Sequence, residues 1–381
     1  MKIAPFTLER WQSVWENQVG INLSESGVHP LTVEELVTDK DELARVLRQP
    51  LGYPQTNGSE VLRSRVAALY PGASAANVLM TSGCSEANFV ITWSLLEPGD
   101  EVVFMQPNYM QIAGVAEAFG AIVRPLWLRE TLGWQFDPAE LRQAVNPRTK
   151  LIAICNPNNP TGAVMSAETM REICERAAEV GAWVLADEVY RGAEFDGELS
   201  ATRWGRYDRV LCTGGLSKAY ALPGLRTGWI VGPADMVERL WGVHDYTSIG
   251  ISMLTDKLAA IALEEGKRRW ILERSRQILN ENYKTVRQWI GERGDLLRHI
   301  PPQAGGIAWV GYNRPWSADV LVEELRKRKD VLLVPGTQFG MDQFFRIGFA
   351  GDRRHLETGL AKVGELLTDF DRESAAAGVR G

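Results

Sequence analysis

The run Gly215-Leu216-Ser217-Lys218, with Arg226 eight residues beyond its lysine, is a combination of residue types that could do chemistry. It follows an apolar, strand-like stretch of the chain. A lysine amine held in a turn can form a Schiff base with a carbonyl compound, and a serine hydroxyl and a guanidinium can bind a phosphate. An isolated lysine is more often a solvated surface residue. The run therefore needs support from other parts of the sequence.

Two more polar segments directly follow apolar strand-like runs. Asp187 ends the run WVLAD, and Tyr190 comes three residues later. The segment 156–162, NPNNPTG, follows the run LIAIC. Ligands of open α/β folds bind at the carboxyl ends of parallel strands, so these side chains are expected at one edge of a sheet. An ordinary Pro-Thr-Gly turn is the alternative interpretation of the second segment.

The elements that must position these residues alternate between about residues 75 and 235. Helical apolar spacing after a serine N-cap is found from Ser85 and from Ser166. Alternation of this kind predicts βαβ units and a mainly parallel sheet that is buried on both faces. The strand-like runs between the helices are VLMT near 78, EVVFM at 101, LIAIC at 151, WVLAD at 183 and RVLCTG at 209.

The rest of the chain predicts a second, smaller unit. A long helical stretch runs from Pro233 to about Glu292, with a break expected near Gly250 or Gly266. The strand-like runs GIAWVGY, VLLV and QFFRIGF then alternate with two helical runs. The sequence therefore predicts an α/β fold, with a large domain over residues 45–285 whose mainly parallel sheet is sandwiched by helices. A smaller α+β domain is predicted from residues 1–44 and 286–381.

Composition excludes several classes of function. The 381 residues are 45% hydrophobic and 24% charged, which is typical of a globular chain, and the net charge of -6 disfavours a nucleic-acid partner. The four cysteines are far apart, which fits a reducing compartment and argues against a disulfide framework or a metal site. No apolar run approaches the roughly 20 residues that cross a bilayer. These features predict a cytoplasmic protein without a membrane partner.

In combination, the motifs resemble those of the fold-type I pyridoxal-phosphate (PLP) enzymes of the class I/II aminotransferase group. The runs NPNNPTG, DEVY, GLSKAYALPGLR, VPGTQFG and FRIGF occur in the order and at the separations of that family, and the resemblance covers roughly residues 20–370. It implies the PLP-dependent transferase fold type I, the cofactor pyridoxal 5'-phosphate, and a small amino acid as the substrate.

The resemblance also implies roles for individual residues. Lys218 would form the Schiff base with the cofactor, and Asp187 would pair with the nitrogen of the pyridine ring. Asn159 and Tyr190 would hydrogen-bond the ring oxygen O3', and Tyr109 would stack on the ring. Lys218 is also the candidate base at the substrate Cα, provided that its neighbours lower its pKa.

For the cofactor phosphate, the resemblance implies a cup of polar groups. The loop 82–86 opens a helix, so its N–H groups and the helix dipole would face an anion. Many relatives have serine at the position of Gly215, and its absence here removes one possible hydroxyl contact. The residues of the cup would be Gly83, Cys84, Ser85, Ser217 and Arg226.

Two residues outside that cup complete the site that the resemblance implies. Arg346 interrupts an apolar strand and would hold the substrate α-carboxylate as a bidentate pair, with an ordinary salt bridge as the alternative. Tyr53 matches a family tyrosine that reaches the phosphate of the neighbouring subunit. It predicts a homodimer with shared active sites.

Three local segments resemble a subgroup that eliminates water from a hydroxylated arginine and closes a guanidine ring. They are LERW at 8–11, SESGVH at 24–29 and HDYTSIGIS at 244–252. A cationic guanidinium needs acidic partners when it leaves water. Glu9, Glu25 and Asp245 are the candidates, although each could be a solvated charge. His29 is a candidate for the pocket wall or for a structural role.

The predicted reaction is the cyclodehydration of a hydroxyarginine to a cyclic guanidino amino acid, through Cα deprotonation and elimination. A conventional aminotransferase, which passes an amino group to a 2-oxo acid, would use the same residues and is the alternative. A non-catalytic PLP-binding domain is a third possibility. The intact lysine, aspartate and arginines favour an enzyme instead.

Overall fold

Helices and strands alternate along most of the chain in the computed structural model, which describes residues 2–376. Within that range the strands are β1 (Ile21–Asn22), β2 (Val78–Thr81), β3 (Glu101–Gln106), β4 (Ile122–Arg129), β5 (Gln135–Phe136), β6 (Thr149–Cys155), β7 (Trp183–Asp187), β8 (Val210–Gly215), β9 (Gly228–Val231), β10 (Leu297–Arg298), β11 (Ile307–Tyr312), β12 (Val331–Leu332), β13 (Val334–Pro335) and β14 (Phe344–Gly348). The α-helices are α1 (Thr7–Trp15), α2 (Val33–Leu36), α3 (Lys40–Leu47), α4 (Glu60–Ala67), α5 (Cys84–Leu95), α6 (Gln111–Ala118), α7 (Pro138–Ala144), α8 (Ala167–Val180), α9 (Ala234–His244), α10 (Met253–Ala262), α11 (Glu265–Gly291), α12 (Ala318–Lys329) and α13 (Arg353–Ala376).

An eight-stranded sheet has the order β2-β9-β8-β7-β6-β3-β4-β5. The strands β8, β7, β6, β3 and β4 pair in parallel, and β9 runs antiparallel to both of its neighbours. The predicted α/β fold with a mainly parallel sheet is confirmed. Because β2 points the same way as the parallel strands, the segments that follow β2, β3, β6, β7 and β8 all start from one edge of the sheet.

Both faces of this sheet are covered. Along β3, Val102 and Phe104 pack in one hydrophobic cluster, whereas Val103 and Met105 pack in the other. Successive side chains of a strand point to opposite faces, so both faces bury apolar residues. This is the reason why the strands read as nearly continuous apolar runs.

The helix boundaries correct one prediction and refine another. Ser166 caps α8, and its side chain accepts a hydrogen bond from the N–H of Thr169. The predicted cap at Ser85 is wrong, because α5 begins at Cys84 and its N-cap is Gly83, with a φ of 90°. The stretch after Pro233 breaks twice, around Gly250 and between α10 and α11.

The C-terminal part contains a four-stranded antiparallel sheet in the order β10-β11-β14-β13. The run VLLV is divided between β12 and β13, which belong to different sheets. β12 pairs in parallel with β1, so the N-terminal segment joins this part of the chain. The domain boundaries stay predictions, and α11 runs without a break across the one placed at residues 285 and 286.

No helix within residues 2–376 has the length and apolar character that crossing a membrane requires.

Candidate active site

A cavity of about 280 Å³ lies at the edge of the large sheet where the parallel strands end. The strand β14 and the N-terminal segment close its other sides. It is lined by these predicted site residues: Glu9, Glu25, Cys84, Ser85, Tyr109, Asn159, Asp187, Tyr190, Ser217, Lys218, Arg226 and Arg346.

Asp187 is a buried carboxylate at the end of β7, only 7% exposed. Its Oδ2 accepts a hydrogen bond from Nδ2 of Asn88 at 2.9 Å, and its Oδ1 accepts one from the N–H of Val189 at 3.0 Å. Asn88 is held in turn by the hydroxyl of Thr213 at 3.0 Å. Burial raises the pKa of Asp187, and these hydrogen bonds only oppose that rise. A cation placed against this carboxylate would favour its charged form.

The Lys218 amine lies across the cavity from the sheet, against the N-terminal segment. Its Nζ donates to Oγ of Ser26 at 2.8 Å and lies 3.4 Å from Oε1 of Glu25. Burial lowers the pKa of Lys218, but the negative charge of Glu25 outweighs this effect and the pKa is raised. The neighbours in this structure therefore raise this pKa, and the role of Lys218 as the base at the substrate Cα stays a prediction.

The phosphate cup is formed where α5 begins. Gly83 has a left-handed φ of 90°, and a Cβ at this position would come within 2.6 Å of Nη2 of Arg226. The glycine therefore leaves room for the guanidinium above the first N–H groups of α5, which have no acceptor within the helix. Gly215 is equally constrained, because a Cβ there would lie 2.9 Å from the carbonyl oxygen of Thr227.

Arg346 on β14 is a buried guanidinium, 1% exposed, on the side of the cavity opposite the sheet edge. Its Nη1 donates to Oδ1 of Asn159 at 2.9 Å, and its Nη2 donates to the carbonyl oxygen of Ser24 at 2.6 Å. Its Nε is buried without a hydrogen-bond partner. Burial lowers the pKa of Arg346, as expected for a cation that has no carboxylate in contact.

Carboxylates from the N-terminal segment form an acidic wall, defined here as Glu9, Glu16 and Glu25. Glu9 accepts a hydrogen bond from the hydroxyl of Tyr109 at 2.7 Å. Burial, followed by the charges of Glu25 and Glu9, raises the pKa of Glu16. The Lys218 ammonium is the main reason why the pKa of Glu25 falls to about 2. The wall thus contains three carboxylates, of which Glu25 is paired with Lys218 and also has its pKa lowered by the charge of Arg346.

Sequence reasoning missed Glu16, although a signal was present. Glu9, Gln12 and Glu16 are spaced by three and four residues, which places them on one face of a helix. All three line the cavity. Asn88 was also missed, because its role depends on Asp187, which is 99 positions away in sequence.

Four of the predicted residues, including Asp245, are not among those that line this cavity. Gly83 precedes α5 and packs against the guanidinium of Arg226. Tyr53 is 88% exposed. His29 lies in a separate small cavity, where its own N–H donates to the carbonyl oxygen of Ala350 at 2.7 Å. The prediction of a wall position for His29 is corrected accordingly, because the chain turns away from the cavity after Ser26.

Two of the four cysteines lie at the cavity. Cys84 and Cys155 line the cavity next to Asp187, and burial raises the pKa of both thiols. Cys174 and Cys212 are buried elsewhere. Within the part of the chain that the structure describes, no three His, Cys, Asp or Glu residues cluster as a metal site would require.

Comparison with known proteins agrees with this geometry. Residues 19–363 match the family described as aminotransferase class I and II, so the chain belongs to that family. It is 34% identical over 363 residues to the capreomycidine synthase of Streptomyces vinaceus, covering 94% of this chain and 93% of that protein. It is 30% identical over 332 residues to the arginine–pyruvate transaminase AruH of Pseudomonas aeruginosa, covering 85% of this chain and 81% of that protein.

Two solved structures are similar over almost the whole chain. A PLP-dependent aminotransferase from Streptococcus suis has a TM-score of 0.91 and 36% identity, covering 97% of this chain and 99% of that one. The PLP-dependent cyclase OrfR has a TM-score of 0.87 and 27% identity, and the match covers 97% of this chain and 98% of that one. The protein is therefore a PLP-dependent enzyme, as the motifs predicted.

The described residues fit this cofactor. The start of α5 and Arg226 suit its phosphate, and Lys218 suits its aldehyde. Asp187 is a buried carboxylate without a cation in contact, which suits the protonated nitrogen of a pyridine ring. The guanidinium of Arg226, which packs against Gly83 at the start of α5, is the observation that speaks most directly for an anion at this end of the cavity.

Proposed function

We propose that this enzyme converts a free L-hydroxyarginine into a cyclic guanidino amino acid with the loss of one water. The Cα proton and the hydroxyl leave together as water, which creates a carbon–carbon double bond. A guanidine nitrogen then bonds to the carbon that lost the hydroxyl, and the loss of a proton from that nitrogen balances the return of a proton to Cα. The acidic wall is the observation that carries this proposal, because it provides negative charge for a cationic side chain. The similarity to a capreomycidine synthase supports the cyclisation.

The two ends of such a substrate would be held by opposite charges. The α-carboxylate would bind Arg346, whose buried and unpartnered Nε is directed to no acceptor of the chain itself. The guanidinium would bind the acidic wall. There Glu9 accepts a hydrogen bond from the neutral hydroxyl of Tyr109, and Glu16 forms no ion pair with any of the described residues. A guanidinium loses its hydration in a closed cavity, so the carboxylates would offset a cost of several kcal/mol.

Lys218 would move the proton at Cα. When bound, PLP withdraws electrons from the substrate Cα and so makes that proton removable. In the structure the Lys218 amine is a cation held by Glu25 and Ser26, and a cation cannot accept a proton. A substrate guanidinium next to Glu25 would compete for this carboxylate and lower the pKa of Lys218. The charge that selects the substrate would thus also prepare the base.

We also propose a cytoplasmic homodimer. Tyr53 lies near Leu47 and Leu51 in sequence, and these three side chains are 88%, 77% and 83% exposed. Large apolar groups that are so exposed and so close in sequence are typical of a surface that another chain covers. A second copy that covers this segment would bring its own Tyr53 towards the neighbouring site.

Transamination remains the second candidate, and the similarity to an arginine–pyruvate transaminase favours it. Both candidates use an arginine-like substrate and the same cavity. They differ in the fate of the substrate after the Cα proton has been removed.

Mass spectrometry of the products separates the two candidates. The purified protein with PLP is incubated separately with arginine, β-hydroxyarginine and γ-hydroxyarginine, each with and without 2-oxoglutarate or pyruvate. Loss of one water without an acceptor supports the cyclodehydration and identifies the hydroxyl. Product that appears only with an acceptor supports the transaminase, and no reaction with any of the three refutes the arginine-like substrate.

The acidic wall is tested with the variant Glu16→Gln and with citrulline, an uncharged analogue of arginine. Wild-type protein is expected to bind arginine more tightly than citrulline, and Glu16→Gln should reduce that preference several-fold. Glu117→Gln, which removes an exposed carboxylate on α6, is the matched control. An unchanged preference in Glu16→Gln would contradict the role of the wall.

A further inference from the structure

A carboxylate at the start of α5 binds several groups of the segment 244–248. Glu86, in the first turn of α5, accepts a hydrogen bond at Oε1 from the N–H of Ser248 at 3.0 Å. Its Oε2 accepts one from the N–H of Ser82 at 2.5 Å and one from Oγ of Ser248 at 3.0 Å. His244, which is fully buried, places its Nε2 3.2 Å from the same oxygen.

A second connection joins the loop that precedes α5 to the same segment. The hydroxyl of Ser82 donates to Oγ of Ser248 at 3.1 Å, and the hydroxyl of Ser248 donates in turn to Oε2 of Glu86. Both the N–H and the hydroxyl of Ser82 are therefore engaged on the side of Glu86. Glu86, His244 and Ser248 are called the loop anchor below, because together they fix the residue that precedes Gly83.

A carboxylate next to a phosphate site is an unfavourable placement on charge alone. The pKa of Glu86 is lowered to about 2, since the hydrogen bonds of His244 and its other neighbours outweigh the effect of burial. Glu86 is thus an anion, and like charges repel over several ångströms. Glu86 is also not among the residues that line the cavity. Retaining an anion there requires some compensating benefit.

We propose that the loop anchor is a positioning device for the phosphate of the cofactor. By fixing Ser82, it holds Gly83 in its left-handed conformation and directs the N–H groups of Cys84 and Ser85 into the cavity. Glu86 touches neither cofactor nor substrate, so it is a positioning residue. The inference rests on the placement of the phosphate at the start of α5, and it gives a role to part of the segment 244–252 that no other function explains.

The geometry makes a prediction about sign. In Glu86→Gln the amide NH2 replaces one oxygen that accepts from donors, so a donor meets a donor and the loop must shift. If positioning dominates, the variant binds PLP more weakly. If Glu86 only repels the phosphate, removing its charge makes binding tighter.

The test compares PLP with pyridoxal, which lacks the phosphate. The dissociation constants of both are measured by titrating the full chain, stripped of cofactor, and following its tryptophan fluorescence. Glu86→Gln is expected to weaken PLP binding by about tenfold or more, the usual effect of losing hydrogen bonds to a charged group. Pyridoxal binding should change less than about twofold, because it makes no use of the loop.

Ser248→Ala is the second variant, in case Glu86→Gln does not fold. It removes one hydroxyl from an exposed position, and it should weaken PLP binding by about two- to tenfold, again without an effect on pyridoxal. Glu238→Gln, which removes an exposed carboxylate from α9, is the matched control and should bind both compounds like the wild type.

Three results would overturn the inference. They are tighter binding of PLP by Glu86→Gln, an equal loss for PLP and pyridoxal, and no change in either variant. A wild-type protein that binds pyridoxal as tightly as PLP would instead refute the placement of the phosphate, so the two failures are distinguishable.

Discussion

Replacing Arg346 by lysine should remove recognition of the α-carboxylate while retaining a positive charge. In the structure this guanidinium donates to Asn159 and to the carbonyl oxygen of Ser24, and its Nε has no partner. An ammonium group has no planar pair of donors, so it cannot hold a carboxylate in two places.

The size of the effect follows from the number of hydrogen bonds lost. One hydrogen bond to a charged group is worth about 1.5–3 kcal/mol. At 1.4 kcal/mol for each factor of ten, Arg346→Lys should lower kcat/KM by about 10- to 150-fold. Arg354→Lys, an exposed position on α13, should leave it unchanged.

The assay includes agmatine, which is arginine without the α-carboxylate. Binding of arginine and of agmatine is measured in the wild type and in Arg346→Lys by competition with the substrate. The variant should lose affinity for arginine but hardly for agmatine. An equal loss for both compounds would refute a contact between Arg346 and the α-carboxylate, and the thermal midpoint of unfolding shows whether the fold is retained.

Four more outcomes are expected. Lys218→Ala should lack the visible absorbance of the bound cofactor, and a band that survives would exclude Lys218 as the attachment site. Asp187→Asn should lower kcat by about 10²- to 10³-fold while changing cofactor affinity less than tenfold, because a neutral amide cannot stabilise charge on the ring; equal losses in kinetics and titration would contradict this. Mixing Tyr53→Ala with Lys218→Ala should restore about a quarter of wild-type activity if subunits exchange and share sites, and no recovery would contradict sharing. Leu240→Ala, at a fully buried position of α9, should lower the free energy of unfolding in urea by about 2–5 kcal/mol, whereas a change below 1 kcal/mol would contradict its place in the core.

The sequence predicts the elements near the sheet edge well, because each strand is a short apolar run followed by polar residues. Asp187 ends such a run, Tyr190 and Asn159 lie a few residues beyond the ends of two such runs, and the structure brings all three to one cavity. The local pattern is less informative about which residue caps α5. Serine is a common N-cap and favours Ser85, but in the structure the N-cap is Gly83, which has a positive φ.

Other features of the site depend on contacts between distant segments and could not be predicted. The amine of Lys218 lies against Glu25, which is 193 positions away in sequence. His29 is predicted at the wall of the substrate pocket, but the chain turns after Ser26 and places His29 in a separate small cavity. The direction of a side chain in an extended segment depends on this tertiary path and not on composition.

The pairing of β1 with β12 implies an order of events during synthesis. Residues 21–24 leave the ribosome first, yet the strand that pairs with them is complete only after Leu332, and Arg346 follows later still. Such contacts span more than 300 positions, and closing them early is entropically unfavourable. We therefore expect a nascent chain truncated before residue 331 to build the large sheet without the acidic wall in place. The enzyme would acquire its substrate pocket only in the last stage of translation.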